Sequence, residues 1–385
     1  MKKTTCIASL MVCLSMGQAG AFAQNIRIDM NKTYPEKTIS LQKVADVKYI
    51  PLETTDEVLF NGVVTHLSAE GIAGFNKKEG DILVFDGTGK AIASFNHTGQ
   101  GPNEYNKIYH LDVDWKQKEV YVQDNFRQKI RIYALNGSHL RTIDLQETMQ
   151  QGDLYNFSDT HLIYYAQPKS KPVAPYEPVT LLTKKDASKV TLPFTKTDDN
   201  LVKATGGPFG DMKMSAKNVN LLCKKGDEVY VNEVTADVIY RVESNHALTP
   251  VVERTPSYQD ASGQDFFLML TGANARYYFF KRQQALLEFQ GNAASDTKST
   301  YVAYDRKEKQ LLNPTFTNED YPSQDISMSK LLQCAGSANR CYLQLEAFKL
   351  KEALAEGKLK GTLKSIAEKL DEEDNPVLMV VEFKK

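Results

Sequence analysis

Tyr109-His110-Leu111-Asp112-Val113-Asp114-Trp115 alternates apolar and polar side chains without a break. Neighbouring side chains of an extended strand point to opposite faces. This period of two therefore sets Tyr109, Leu111, Val113 and Trp115 against His110, Asp112 and Asp114. After a polar turn, Lys118-Glu119-Val120-Tyr121-Val122 reads as a second strand and Lys129 to Tyr133 as a third. Leu140-Arg141-Thr142-Ile143-Asp144-Leu145 reads as a fourth. Residues 107–145 thus form one four-stranded antiparallel sheet.

The third strand of that sheet, with the turn after it, recurs along the chain. Asp81-Ile82-Leu83-Val84-Phe85 precedes Asp86-Gly87-Thr88-Gly89, and Ile130-Arg131-Ile132-Tyr133 precedes Asn136-Gly137. Val179-Thr180-Leu181-Leu182 comes before Asp186-Ala187-Ser188, Val238-Ile239-Tyr240 before Ser244-Asn245, and Tyr301-Val302-Ala303-Tyr304 before Asp305. The turns start at 86, 136, 186, 244 and 305, spacings of 50, 50, 58 and 61 residues. A strand-only repeat of roughly 40 to 50 residues marks a propeller blade, and the two long spacings predict loop insertions. Tyr121, Val122 and Ile130 align with Tyr230, Val231 and Ile239 at a shift of 109, which makes those positions equivalent.

The ends read differently. Leu345, Phe348, Leu350, Leu354, Leu359, Leu363, Ile366 and Leu370 sit among Lys and Glu, a helical pattern weakened by Gly357 and Gly361. Asp371 to Pro376 stops it, and Val377 to Phe383 is a last strand. Thr38-Ile39-Ser40-Leu41 and Val47-Lys48-Tyr49-Ile50-Pro51-Leu52 are strands without a blade. Pairing them with the last strand would close a ring and hide its open edges. Five internal turns and one blade shared by the two termini give six. The fold expected is all-β, a six-bladed β-propeller of four-stranded antiparallel blades with one C-terminal helical insertion.

Met1-Lys2-Lys3, the apolar Ile7 to Met16 and the small-x-small Ala21-Phe22-Ala23 form a secretory signal, with cleavage expected before Gln24. A lipoprotein alternative at Cys13 is weakened by bulky Val12 before it. Residues 1–23 are therefore set apart from one propeller domain over 24–385, exported to the periplasm or outer surface. No later stretch is long and apolar enough to span a bilayer. With 47 Lys and Arg against 48 Asp and Glu there is no basic footprint for nucleic acid. Cys334 and Cys341 flank a turn-rich loop. They are either a disulfide across a hairpin or two half-buried thiols, while Cys223 reads as a core thiol.

Val120-Tyr121-Val122-Gln123-Asp124, Lys129 to Tyr133 and Asn136-Gly137 together resemble the NHL repeat. Three landmarks extend the likeness: Tyr49-Ile50-Pro51-Leu52-Glu53, Gly99-Gln100-Gly101-Pro102-Asn103-Glu104-Tyr105 and Asp374-Asn375-Pro376-Val377-Leu378. On these, almost the whole mature chain resembles the exported six-bladed β-propeller family of Gram-negative gut anaerobes, NHL-like and TolB-like in its blades. The family usually has Gly where this chain has Asn103, a residue that tight turns accept. The resemblance implies fold and export, and it carries no catalytic residues.

Two functional readings follow. The first is a non-enzymatic binding or scaffold module, monomeric, for a protein or glycan partner, with no cofactor. Its contacts fall on Gly99, Gln100, Gly101, Glu104, Tyr105, Asp124 and Arg127, unless the 99–105 loop is simply the connector between the first two blades. The alternative is a metal-dependent hydrolase or lactonase. It would use His110, Asp112 and Asp114 from one strand face and partners from other blades around a divalent ion. Gly99-Gln100-Gly101 lacks the third glycine of a dinucleotide loop, and Gly87-Thr88-Gly89-Lys90 suits a hairpin turn better than a phosphate loop. Trp115, Tyr155, Tyr164, Tyr165, Tyr277 and Tyr278 would stack on sugars or, more ordinarily, fill blade interfaces. The aromatic run 266–290 reads as buried strands or as an interface.

Overall fold

The computed structural model describes residues 26–124, 126–145, 148–167, 175–196, 201–205, 212–215, 221–260, 266–290, 293–294, 298–331 and 339–385. The expected signal segment, Cys13 and Cys334 lie outside them.

Six blades close a ring. The first comprises Val63–Leu67, Gly71–Phe75, Ile82–Asp86 and Ala91–Phe95. The second runs His110–Asp114, Glu119–Asp124, Lys129–Ala134 and His139–Asp144, within the 107–145 unit expected. The third runs Thr148–Asn156, His161–Gln167, Val179–Thr183 and Lys189–Thr191. Blade four has Leu222–Lys225, Glu228–Val231, Val238–Val242 and Leu248–Thr255, and blade five Phe266–Ala273, Tyr277–Gln284, Ser299–Asp305 and Gln310–Asn318. In blade six, Arg340–Leu345 pairs with Val377–Phe383, which pairs in turn with Ala45–Pro51. An N-terminal strand thus lies beside the last strand and closes the ring.

Each of the five repeated turns joins the third and fourth strands of its blade, and one side-chain device makes all five. Asp86, Asn136, Asp186, Asn245 and Asp305 each accept, through Oδ1, the backbone N–H two residues on, at 2.8–3.1 Å. Short Asx side chains mimic a backbone turn in this way, so the repeat seen in the sequence is a repeat of turn chemistry. Gly137, at φ +86°, supplies the left-handed residue of its turn, and a Cβ there would lie 2.6 Å from the Phe95 ring.

Among the described residues the buried apolar side chains fall into six clusters, one at each contact between neighbouring blades. Tyr105, Val113, Val122 and Tyr133 meet Ala73 and Val84 between blades one and two; Tyr121, Ile130 and Ile132 meet Leu154 and Leu162 between two and three. Each buried Leu, Ile or Phe contributes roughly 1.5–3 kcal/mol, so these interfaces, rather than the hairpins, hold the ring. The aligned positions are equivalent in space. Tyr121 and Tyr230 both face the next blade, and Val122 and Val231 both face the preceding one. Tyr155, Tyr164, Tyr165, Tyr277 and Tyr278 are buried in these interfaces, and most of the 266–290 run is too.

Three expectations need correction or refinement. Only one N-terminal strand pairs with the last strand. Glu36–Ser40 lies parallel to the outer strand of blade five, with Ile39 opposite Phe316, and Leu41 begins a short helical turn with its side chain in the core. Ile26–Asp29 likewise adds a parallel strand to the outer edge of blade four. The C-terminal helical segment is two helices, Ala347–Ala355 and Gly361–Ala367, broken where Gly357 takes φ +70°. The two long repeat spacings are insertions, as expected, and they meet: Leu201–Thr205 pairs in parallel with Leu286–Gln290.

Candidate functional site

Strand alternation sends Asp112 inward from the first strand of blade two, and there it collects partners from three other blades. Its Oδ1 lies 2.9 Å from His66 Nδ1 of blade one and accepts the Val113 N–H at 2.8 Å. Its Oδ2 accepts the Asn156 N–H of blade three at 2.8 Å and stands 3.6 Å from Lys224 Nζ of blade four. Lys224 also donates to the Asn156 carbonyl at 2.6 Å. Burial alone would raise the Asp112 pKa. Lys224 and His66 more than reverse that and hold the carboxyl well below the usual carboxylate range. An ionised Asp112 only accepts, so His66 carries its proton on Nδ1. His66 Nε2 and His110 Nε2 are both buried without a hydrogen-bond partner.

The other two residues of that strand have different direct contacts. His110 packs edge-to-face on Tyr155, ring centroids 5.0 Å apart. Burial lowers its pKa from 6.5 to about 4, with Asp112 opposing and Lys224 and His66 adding to the fall. Asp114 is held by Lys184 Nζ of blade three at 2.6 Å and accepts the Gln117 N–H at 3.0 Å. His110, Asp112 and Asp114 share a strand face, but only His110 lies close enough to feel the Asp112–His66–Lys224 cluster, while Asp114 pairs with Lys184. Among the described residues no group of three His, Cys, Asp or Glu side chains is placed to hold a metal ion. Sequence reasoning missed His66, Asn156 and Lys224, which come from separate blades. Their shared signal was a place on the first strand of a blade, the strand nearest the axis.

The second predicted set comes together fully. Arg127 Nη1 donates to the Gly101 and Glu104 carbonyls at 3.1 and 3.4 Å, and Nη2 to the Gly99 carbonyl at 3.2 Å and Gln100 Oε1 at 2.6 Å. Glu104 Oε2 accepts the Gly101 N–H at 2.6 Å, and a Cβ on Gly99 would sit 2.0 Å from that oxygen. Tyr105 donates through its hydroxyl to the Gly80 carbonyl at 2.7 Å. Asp124 accepts the Asn106 N–H at 2.9 Å and pairs with Arg131 at 2.9 Å, both side chains fully buried. These groups are spent on one another. They clamp the connector between blades one and two to the loop between the second and third strands of blade two.

That clamp stiffens an exposed ledge. Phe126, adjacent to Arg127, is 66% exposed. Its ring centroid lies 5.7 Å from that of half-buried Tyr109, over which Lys107 Nζ stands at 5.7 Å. Strands alternate in direction. The 96–109 connector and the loop at 126–128 therefore fall at one end of the ring, and the five Asx turns at the other. At the turn end, Gln117, Arg141, Asp159, Thr160, Thr183, Lys184, Lys185 and Asp186 line an open cleft of about 400 Å³ between blades two and three. Arg141 of that lining forms a close pair with Glu119, in which each favours the other's charged form. Cys341 and Cys223 are buried in the core.

A ring of six β-blades pinned by buried inter-blade ion pairs, with an aromatic ledge on its connector end, is a six-bladed β-propeller. The chain belongs to the family described as domain of unknown function DUF4934, which matches residues 25–382. Among solved structures it is similar to a protein of Bacteroides fragilis assigned as exported. That likeness has 14% identity and a TM-score of 0.65, covering 93% of this chain and all of that one. It is also similar to a DUF4221 family member from Bacteroides vulgatus, at 9% identity and a TM-score of 0.49, covering 89% of this chain and 98% of that one. No curated protein matches the chain in sequence. Among the described residues no helix is long and apolar enough to cross a membrane.

Proposed function

We propose that this propeller is an exported, non-enzymatic module that holds a protein partner on its connector end. The observation that carries this reading is the Phe126–Tyr109–Lys107 ledge. A large aromatic 66% exposed on a loop fixed by Arg127 is costly to leave in water and well placed to anchor a partner. The acidic residues that would suit catalysis are instead tied to other blades. Export draws support from the basic and apolar start of the chain and from the exported Bacteroides fragilis neighbour.

A photo-crosslinking residue placed at position 126 of the mature protein tests this in cells. The reading expects one discrete protein adduct from position 126 and none from position 348, where Phe348 is exposed on a helix far along the chain. Adducts equally abundant from both positions would overturn it. A glycan adduct at 126 would move the partner class to carbohydrate.

One observation favours a second reading, that of a hydrolase. Asp112 orients His66 and leaves Nε2 unpartnered, the arrangement of a general base. Turnover of an ester or lactone panel, abolished in His66→Gln, would support it. No turnover above the His66→Gln background would dismiss it.

A further inference from the structure

The connector end of the ring is divided by charge. The 52–62 connector leads from blade six into blade one, so it lies at the same end as the Phe126 ledge. Asn375 binds it to the segment that enters Val377–Phe383. The Asn375 amide donates to the Glu53 and Val58 carbonyls at 2.7 and 2.8 Å, and its oxygen accepts the Phe60 N–H at 2.7 Å. Asp56, Glu57, Asp371, Glu372 and Glu373 are exposed on these two segments, and Leu59 on the first of them is 56% exposed.

The neighbouring half is basic. Lys77 and Lys78 are exposed on the loop between the second and third strands of blade one, where Glu79 is the only exposed acid. Lys107 is exposed beside Tyr109 and Phe126. The Asn96 amide donates to the Glu79 carbonyl at 3.0 Å and so ties this loop to the 96–109 connector. Asn76 joins the two halves: its amide nitrogen donates to the Leu59 carbonyl at 2.9 Å, and its oxygen accepts the Asn61 N–H at 3.1 Å. One hydrogen-bonded floor thus carries an acidic patch with an exposed leucine beside a basic patch with an exposed phenylalanine.

We infer that the partner held on the connector end is a second copy of this chain. Each patch has the charge and the apolar side chain that the other lacks. A two-fold axis relating two facing connector ends sets the acidic patch of each copy on the basic patch of the other, so a single complementary contact is made twice. Leu59 of one copy then meets the Phe126 ledge of its partner. This rests on the connector-end reading above and replaces the monomer expected from the sequence.

The test is analytical ultracentrifugation of the mature protein up to about 500 µM, a range that reveals even a weak dimer. Wild type should form a species of twice the monomer mass that weakens as salt is raised. Asp56→Lys with Glu57→Lys, and separately Lys77→Glu with Lys78→Glu, should each weaken self-association at least about 10-fold, because like charges then face each other. Mixed in equal amounts, these two variants should pair, since each supplies the charge that the other has lost. All four positions are exposed, so both variants should melt like wild type. A protein monomeric throughout the range would overturn the inference, as would a dimer indifferent to both variants or two variants that fail to pair when mixed. A monomer that still gives an adduct with a different protein from position 126 would overturn the self-pairing alone and leave the connector-end reading standing.

Discussion

His66 and Asp112 stand 2.9 Å apart, Nδ1 to Oδ1, with 3% and 0% of their side chains exposed. They come from adjacent blades, and the same carboxylate reaches Asn156 and Lys224 on the next two. One side chain therefore ties four consecutive blades near the axis. Removing it strands Lys224 as an unpaired buried charge and orphans the Asn156 N–H. Asp112→Ala should cost about 3–5 kcal/mol, the range for breaking one side of a buried pair. Urea unfolding of the mature protein measures it, and a cost below about 1 kcal/mol would remove the pin from the account.

The same cluster sets a pH dependence. The His110 pKa is lowered from 6.5 to about 4 by burial, so the folded protein refuses a proton that the unfolded chain takes. Its contribution is whole above pH 6.5 and is lost as the pH falls toward 4. Asp112, whose pKa is also lowered, adds a second loss once the pH drops below its unfolded value of about 3.9. Melting temperature should fall across both windows. His110→Gln should flatten the 6.5-to-4 limb and leave the acid limb in place.

Arg127 should prove irreplaceable by lysine. Its planar fork bonds three carbonyls and Gln100 at once, a geometry that a single ammonium cannot reproduce. Arg127→Ala and Arg127→Lys should both destabilise by roughly 1–3 kcal/mol and speed hydrogen exchange across 99–106. Gly99→Ala should act on the same connector, because its Cβ meets the Glu104 carboxylate at 2.0 Å. Glu104→Ala should relieve part of that clash, which a double-mutant cycle would show.

Much of this was legible in the sequence, because it rests on local chemistry repeated five times. The Asx turns at Asp86, Asn136, Asp186 and Asp305 announce themselves by a short polar residue after an alternating strand. Asn245 does the same one place into its expected turn. The Gly99–Tyr105 run and Arg127 are legible as a distinctive loop and a nearby cation, but their mutual hydrogen bonds arise only from the tertiary fold. Edge choices were not legible: Glu36–Ser40 and Ala45–Pro51 look alike as strands, and tertiary pairing sends one to blade five and the other to blade six. The axis cluster was hidden for a related reason. His66, Asp112, Asn156 and Lys224 are joined by ring closure rather than by spacing, so the sequence of one strand shows Asp112 without its partners on the other blades.

Phe126→Ser should leave the melting curve unchanged within about 0.5 kcal/mol, since the ring is exposed and packs chiefly on Tyr109. A larger loss would mean that the ledge is part of the fold.

On the proposed function, the inter-blade contacts near the axis, His66 and Asp112 among them, hold the ring, and the connector end holds the partner. Partner retention by immobilised residues 24–385 tests it most directly, comparing wild type, Phe126→Ser with Tyr109→Ser, and His66→Gln. The ledge variant should weaken retention by at least about 30-fold, the effect of losing a hot spot of about 2 kcal/mol, and folded His66→Gln should retain the partner like wild type. Retention unchanged in the ledge variant, or lost in folded His66→Gln, would contradict it.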